Sequence, residues 1–206
     1  MSKYDELARL GTATVYEAAG RHGYVEGPFH RIVPGSRAAG PARTVFCGEG
    51  DNLMVHAAMA SLQPGDVLVI AMPLPAPVAL MGDLLATQAK RHGAAAVLVD
   101  GAVRDVDELV ELGLPVWARH ISIRGATKEV VGALDGALTI GGATIAAGDA
   151  VVLDGDGVAV IPAERCDDVL QKSLDREAKE RVKRERLQAG ELSLDLDGLR
   201  ARIDVR

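Results

Sequence analysis

The chain has 206 residues, 48% hydrophobic and 25% charged, a composition typical of one soluble globular domain. Its formal net charge of −6 argues against a protein that binds nucleic acid through bulk charge. No apolar run approaches the roughly 20 residues that span a bilayer, and the start, MSKYDELARLG, lacks the apolar stretch of a signal peptide. Because Cys47 and Cys166 have no metal-type or redox-type spacing, we expect two reduced thiols in a cytoplasmic protein.

Helix-like and strand-like segments alternate along the first 120 residues. The strand candidates are short, β-branched runs, and the helix candidates end at Gly or Pro. In chain order, we predict a helix over 4–23, strands near 31–33 and 42–47, a helix from 52 to 64, a strand over 67–72, a helix over 83–93, a strand over 97–100, a helix over 104–113 and a strand over 114–123. This alternation predicts a mixed α/β domain with a partly parallel sheet.

The last third of the chain changes character. Residues 132–162 are Gly-rich and β-branched, which predicts strands joined by tight turns, and residues 163–189 form a highly charged helix. Such a helix would span about 40 Å, whereas the radius of gyration of the domain should be about 17 Å. Its apolar stripe is thin and consists of Val169, Leu170, Leu174, Ala178 and Val182. We therefore predict a single domain, 1–206, in which the helical extension 163–206 packs on a neighbouring subunit.

Three charged residues follow the two central strands of this pattern. In a right-handed crossover a helix starts where its preceding strand ends, so Asp83, Arg104 and Asp105 should meet at the carboxyl edge of the sheet, where open α/β sheets bind ligands. The N–H groups of Leu84 and Leu85 would point to that edge and suit a carboxylate or phosphate. Arg104 could hold the same anion, and the two carboxylates could hold a hard divalent cation.

Each of these charges also has a purely local interpretation. Asp83 is a common residue at a helix start, where it caps the helix or complements its dipole. Asp105 with Glu108 imitates a capping box, although Ser or Thr is the usual first member. Arg104 could pair with nearby acidic residues on the surface, which contributes little stability.

The spacing of these residues resembles a family signature. Asp83, twenty intervening residues and Arg104-Asp105 are similar to the D-x20-R-D signature of the class II pyruvate aldolases, which act on 4-hydroxy-4-methyl-2-oxoglutarate and 4-carboxy-4-hydroxy-2-oxoadipate. The segments DNLMVHAAMASLQPGDVLVI, GDLLATQAKRHGAAAVLVDGAVRD and ERLQAGELSLDLDGLR also resemble this family, so the resemblance covers most of the chain from about residue 45. The family shares a superfamily with the regulators of ribonuclease E activity.

The resemblance implies a fold and a reaction. The fold would be a β/β/α swivelling-domain-like sandwich that assembles into homotrimers or homohexamers. The reaction would be a metal-dependent retro-aldol cleavage of a 4-hydroxy-2-oxo acid to pyruvate and a second oxo acid, with Mg²⁺ or Mn²⁺ as cofactor. The enzyme would also decarboxylate oxaloacetate, because that reaction passes through the same pyruvate enolate. We expect no nucleic-acid or membrane partner.

The resemblance also implies roles for individual residues. Asp105 would be the direct metal ligand, and Arg104 would contact the keto oxygen and stabilise the enolate. The turn of Gly82, Leu84 and Leu85 would receive the substrate carboxylate through backbone amides.

Three further residues carry weaker assignments. Asp83 would orient a water at the metal and relay protons. His56 resembles a family histidine near the site, but a hydrogen-bonded histidine on the inner face of a helix is an equally good interpretation. Glu180, or failing that Glu177, would be an acidic residue donated by the neighbouring subunit, although a solvated helix face also explains both.

Two features keep the assignment open. The loop AMPLPAPVALMGD has three prolines where the family has a more polar, Gly-containing segment, which leaves the substrate in doubt more than the reaction. The alternative function is a non-catalytic, protein-binding regulator of the ribonuclease E type. Those regulators commonly lack the acidic residue at the position of Asp83, so its presence favours the enzyme.

Overall fold

A curled, partly parallel sheet of nine strands forms the centre of the computed structural model, which describes residues 1–203. Its α-helices are α1 (Lys3–Leu10), α2 (Thr12–Ala18), α3 (Leu53–Ala58), α4 (Asp83–Arg91), α5 (Val106–Leu112), α6 (Cys166–Gln188) and α7 (Ser193–Leu196). Its strands are β1 (His30–Arg31), β2 (Ala38–Phe46), β3 (Val67–Ala71), β4 (Ala79–Met81), β5 (Ala96–Val103), β6 (Val116–Ile121), β7 (Ala133–Leu134), β8 (Leu138–Ile140), β9 (Ala143–Ile145), β10 (Ala150–Leu153) and β11 (Val158–Ile161). Short 3₁₀ turns occupy Ala163–Arg165 and Arg200–Arg202.

The strand order places the four parallel strands at the centre of the sheet. The main path runs β1-β6-β5-β3-β2-β10-β11, with β4 added to β5 and β7 added to β2. Strands β2, β3, β5 and β6 are parallel neighbours. Each of the outer strands β1, β10 and β11 is antiparallel to the strands that it pairs with. The predicted strands over 67–72 and 97–100 are thus confirmed as adjacent parallel strands, with Val67 opposite Ala96.

Helices cover both sides of the strands. The helices α3, α4 and α5 pack on one face of the parallel strands, while α1, α2 and α6 pack on β2, β10 and β11. The β8–β9 hairpin closes a further core against the curled sheet, and this core contains Trp117, which is fully buried. The indole N–H of Trp117 donates to the carbonyl oxygen of Asp154 at 2.9 Å. The mixed α/β architecture with a partly parallel sheet is therefore confirmed.

The predicted single helix over 4–23 is wrong, because the chain breaks at Gly11 into α1 and α2. Gly11 has φ of +82°, a left-handed backbone that suits glycine. The carboxylate of Asp154 accepts the backbone N–H of Thr12 at 2.9 Å and its hydroxyl at 2.6 Å, so a distant residue caps α2. A Cβ on Gly11 would meet this carboxylate.

Two other boundaries differ from the prediction. The helix expected to reach Pro64 ends at Ala58, and the proline-rich segment contains the strand β4, which pairs in parallel with β5. Strand β4 is only three residues long and its alternation is too brief to detect. This strand positions the start of α4, because only Gly82 separates its last residue, Met81, from that helix.

The charged C-terminal helix divides into two parts. Its first half packs on α1 and α2 of the same chain through Val169, Leu170 and Leu174. Further along, Val182 is 54% exposed, and the chain turns back so that Lys183 pairs with Asp197. Part of the stripe thus serves its own domain, and packing on a neighbour stays a prediction for the half beyond. In the part of the chain described, no helix is both long and apolar enough to cross a membrane.

Candidate functional site

The first residues of α4 and α5 lie side by side where β4 and β5 end. The backbone N–H of Arg104 donates to the carbonyl of Met81 at 3.1 Å, which ties the end of β5 to the end of β4. The carboxylate Oδ2 of Asp105 accepts the backbone N–H of Asp83 at 3.1 Å and lies 3.4 Å from Nε of Arg104. The expectation that Asp83, Arg104 and Asp105 meet at one edge of the sheet is confirmed.

Asp105 does not cap its own helix. It has the left-handed conformation φ 59°, ψ 48°, and its side chain makes no capping hydrogen bond to α5. The capping-box interpretation with Glu108 is therefore wrong. The carboxylate instead caps α4 across 22 residues of chain. A left-handed backbone is uncommon for a residue other than glycine, and such residues cluster at functional sites.

Gly82 leaves the space that this arrangement needs. Its backbone is extended, so no unusual dihedral angle requires glycine here. A Cβ at this position, however, would collide with Oδ2 of Asp105 and press on the side chain of Arg104. The small residue thus allows the carboxylate and the guanidinium to approach the start of α4.

Several polar groups at this edge have no partner within residues 1–203. The N–H groups of Leu84 and Leu85 have no acceptor there, and the carboxylate of Asp83 has neither a hydrogen-bond donor nor an ion-pair partner. Arg104 is half-exposed, and its one ion-pair partner among the described residues is Asp105. A helix N-terminus with unused N–H groups attracts anions, so this edge offers anion-binding and cation-binding groups together.

One cavity collects these groups. Its volume is about 140 Å³, roughly ten times the ~10–15 Å³ that a cavity needs to hold one water molecule. The cavity therefore has room for a small organic acid. It is lined by Asn52, His56, Ala79, Met81, Gly82, Asp83, Leu84, Leu85, Arg104, Ala126 and Lys128.

Two lining residues were not predicted from the sequence. Asn52 is buried and donates from Nδ2 to the carbonyl of Leu80 at 3.0 Å, but its Oδ1 is buried without a donor. Buried polar atoms are rarely left without a partner, so Oδ1 of Asn52 is an exception within residues 1–203. Lys128 lies on the loop that follows β6 and brings a cation into the cavity. Asn52 stood within the family-like segment, whereas nothing in the sequence around Lys128 marked it.

Asp51 holds this part of the cavity together. Its carboxylate is fully buried and accepts the hydroxyl of Thr127 at 2.7 Å and the N–H groups of Glu129 at 2.6 Å and Val130 at 3.2 Å. It also accepts the N–H of Leu53 at 2.8 Å. Burial alone would raise the pKa of Asp51, but these hydrogen bonds lower it to about 2.

The remaining predicted residues are found in two places. His56 lies on α3 with its side chain exposed and lines the cavity, so the alternative of a hydrogen-bonded histidine on the inner face of the helix is wrong. Glu180 does not reach this cavity in its own chain. It pairs with Arg176 at 2.8 Å and, together with Glu177, lines a separate cavity near α1. Glu177 is held by a two-pronged ion pair with Arg9.

Most of the chain is similar to a known protein family. The family model described as RraA-like, Aldolase/RraA, matches residues 12–160. The chain belongs to the Aldolase/RraA family. This match covers the strands and helices that build the cavity, including Asp83, Arg104 and Asp105.

One curated relative and two solved structures are also similar to this chain. A protein of Halalkalibacterium halodurans named "Putative 4-hydroxy-4-methyl-2-oxoglutarate aldolase" is 40% identical over 150 residues, which are 71% of each chain. The crystal structure of a Pseudomonas syringae pv. tomato protein is 27% identical, covers 92% of this chain and 94% of its own, and superposes with a TM-score of 0.82. Streptomyces coelicolor RraAS2 is described as an unusual member of the RNase ES inhibitor RraA protein family. It is 30% identical, covers 88% of this chain and 95% of its own, and superposes with a TM-score of 0.75.

Proposed function

We propose that the chain is a divalent-cation-dependent aldolase that cleaves a 4-hydroxy-2-oxo acid of the 4-hydroxy-4-methyl-2-oxoglutarate type to pyruvate and a second oxo acid. The observation that carries this proposal is that Arg104, Asp83 and two unused α4 N–H groups line one small cavity. The carboxylate of Asp105 lies against Arg104 and the start of α4, and it lines a second cavity that shares Arg104. The name of the 40% identical relative supports the same reaction type.

The donor set fits Mg²⁺ or Mn²⁺. Such hard cations take oxygen ligands, and the carboxylates of Asp105 and Asp83 lie at one edge with oxygens that no protein donor occupies within residues 1–203. No group of three or more His, Cys, Asp and Glu residues suited to a metal was found in that range. Asp105 would be the direct ligand, with Asp83 beside it. When bound, the cation supplies positive charge that stabilises a developing enolate.

The chain's own residues account for substrate binding. The N–H groups of Leu84 and Leu85 would receive the 1-carboxylate at the positive end of α4. The guanidinium of Arg104 would donate to the 2-oxo oxygen, where negative charge grows as the bond between C3 and C4 breaks. Lys128 would pair with the carboxylate at the far end of the substrate.

Proton transfer falls to Asp83 in this proposal. The 4-hydroxyl loses its proton, C3–C4 breaks, the second oxo acid leaves, and the electron pair passes to the pyruvate enolate, which is then protonated at C3. Asp83 can accept and return the proton because its carboxylate has no partner in residues 1–203. His56 also lines the cavity. Oxaloacetate would give the same enolate by losing carbon dioxide, so we expect oxaloacetate decarboxylation as a side activity.

The assembly is also proposed. Leu84, Ile121 and Ile123 are 78%, 58% and 95% exposed around Arg104 and Asp105. Exposed apolar side chains that cluster in this way are suited to a subunit contact. We infer a homotrimer or homohexamer in which a neighbour covers this rim and contributes Glu180.

A second candidate function is a protein-binding regulator without catalysis. The likeness to RraAS2 favours it, since that protein is described as belonging to an RNase inhibitor family. The carboxylate of Asp83 has no partner within residues 1–203 and argues for the enzyme, because a purely protein-binding surface has no need of a carboxylate in so small a cavity.

The deciding experiment measures pyruvate release from a panel of 4-hydroxy-2-oxo acids and oxaloacetate. We expect release with Mg²⁺ or Mn²⁺, none after EDTA treatment, and recovery when the cation is returned. Full release from metal-free protein would reject the cation, and no release from any acid in the presence of the cation would favour the regulator.

A further inference from the structure

A single buried carboxylate joins two separate segments that wall the cavity. Oδ1 of Asp51 accepts the N–H of Leu53, the first residue of α3. Oδ2 accepts the hydroxyl of Thr127 and the N–H groups of Glu129 and Val130 in the loop after β6. The two oxygens thus serve two different parts of the chain, and the carboxylate is the bridge between them.

The bridge has no positively charged partner among its hydrogen-bond donors. All four donors are neutral, so hydrogen bonds alone compensate the buried charge of Asp51. Hydrogen bonds to an ionised acceptor are shorter and stronger than those between neutral groups, and three of the four come from backbone N–H groups whose directions are tied to the chain. Two backbone bonds, Thr127 N–H to Gly50 at 3.0 Å and Asn52 N–H to Thr127 at 2.9 Å, reinforce the same junction.

The residues next to the bridge are the ones that reach the cavity. Lys128 stands between Thr127 and Glu129, which both donate to Asp51. Asn52 stands between Asp51 and Leu53. The bridge therefore restrains the backbone on each side of Lys128 and Asn52, both of which line the cavity.

We propose that Asp51 is a positioning residue, which sets Lys128 where it binds the far carboxylate of the substrate. The identity of that substrate rests on the proposed function. Asp51 itself does not line the cavity, so it would act only through Lys128, which it restrains. The binding of pyruvate, which lacks the far carboxylate, should depend on Asp51 much less.

The test compares three variants of the full chain. Asp51→Asn keeps the shape of the side chain, but its amide can accept on one side only and opposes N–H groups on the other. Thr127→Val removes one donor and is the milder change. Asp149→Asn is the matched control, because Asp149 is also buried and accepts the N–H groups of Ala146 and Ala163, neither of which lines the cavity.

Two measurements that do not require turnover are made on each variant. Hydrogen exchange reports the restraint of residues 126–131, and calorimetry in the presence of Mg²⁺ gives Kd for 2-oxoglutarate and pyruvate as probes with and without a far carboxylate. In Asp51→Asn we expect exchange of 126–131 about tenfold faster or more, Kd for 2-oxoglutarate about tenfold higher, and Kd for pyruvate changed less than about twofold. Thr127→Val should shift in the same direction by less, and Asp149→Asn should change neither quantity.

Unchanged exchange of 126–131 in Asp51→Asn would overturn the restraint. The positioning role would be overturned by faster exchange with an unchanged Kd for 2-oxoglutarate, or by an equal loss of affinity for both acids. It would also be overturned if the unmodified protein does not bind 2-oxoglutarate. If Asp51→Asn does not fold, Thr127→Val decides by the same criteria. A protein that binds 2-oxoglutarate as expected but releases no pyruvate would reject the aldolase while leaving the role of Asp51 intact.

Discussion

The carboxylate of Asp105 accepts the backbone N–H of Asp83 at 3.1 Å, so the residue before α5 caps the start of α4. Asp105 therefore combines two functions in the proposed enzyme, since one oxygen stabilises a helix terminus and the other is available to a cation. Helix capping and metal binding, which the sequence presented as alternatives, would then be properties of the same side chain. They can be separated by substitution.

Asp105→Asn should separate them. Asparagine tolerates the left-handed backbone and keeps an oxygen for the N–H of Asp83, so the melting temperature should change little. Asp105→Ala should in addition lose about 1 kcal/mol of stability with the cap. Both should lower the cleavage rate about a hundredfold or more, because a charge at the reacting atoms is lost. Melting temperature and rate are measured on the same samples, and a fully active Asp105→Asn would contradict the metal-ligand role.

Arg104→Ala is the companion variant. Arg104 is half-exposed and caps nothing, so its loss should leave the melting temperature nearly unchanged. We expect the rate to fall about a hundredfold or more, because the guanidinium stabilises the enolate. A normal rate would return Arg104 to the role of a surface ion pair.

Gly82→Ala should reduce activity although it removes no functional group. The added Cβ collides with the Asp105 carboxylate, and misplacement of a reacting group by about 1 Å can cost about a hundredfold in rate. Gly136→Ala is the control, because a Cβ there meets nothing within 4 Å and the backbone is not left-handed. Steady-state rates of the two variants give the answer, and equal activity would show that the carboxylate has room to move.

Glu180 should act on the site of a neighbouring chain. The variants Asp105→Ala and Glu180→Ala, each expected to be inactive, are unfolded together and refolded as mixed oligomers. Activity should return in part, because some interfaces then pair an intact Asp105 with an intact Glu180. Absence of complementation in oligomers proven to be mixed would reject the trans role. If Glu180→Ala alone is fully active, Glu177 is the next candidate, although its ion pair with Arg9 already engages its carboxylate.

Asp51 should contribute to stability in a defined range of pH. Burial by itself would raise the pKa of Asp51, but four hydrogen bonds lower it to about 2, below the ~3.9 of an unfolded chain. The folded state therefore binds the proton less readily than the unfolded state, so the stabilisation is present above about pH 4 and is lost as the pH falls towards 2. Urea unfolding at pH 5 and pH 3 should show a larger loss for the unmodified protein than for Asp51→Asn. Equal losses would place the pKa near its ordinary value.

Much of the site could be predicted because its signals are local. The runs of β-branched residues around 67–71 and 96–103 indicate buried strands, and the next helices begin at Asp83 and just after Asp105, although the unpredicted strand β4 precedes Asp83. Parallel strands with right-handed crossovers then leave little choice about which edge these residues share.

The features that were not predicted depend on contacts between distant residues. Asp154 breaks the first helix from 142 residues away, and Asp51 brings Lys128 to the cavity through Thr127, 76 residues along the chain. Such hydrogen bonds impose no period on the sequence, because each needs only one acceptor and one donor. The left-handed backbone of Asp105 likewise follows from its reach towards α4, which no pattern within α5 reveals.

The single tryptophan of the chain gives the protein an internal optical reporter. Trp117 is fully buried, does not line the cavity, and hydrogen-bonds to Asp154, whose carboxylate caps α2. Its fluorescence should therefore respond when the N-terminal helices detach from the sheet and stay constant when acids or cations enter the cavity. An emission spectrum taken before each assay can thus distinguish a variant that has lost its chemistry from one that has lost its core, without any added label.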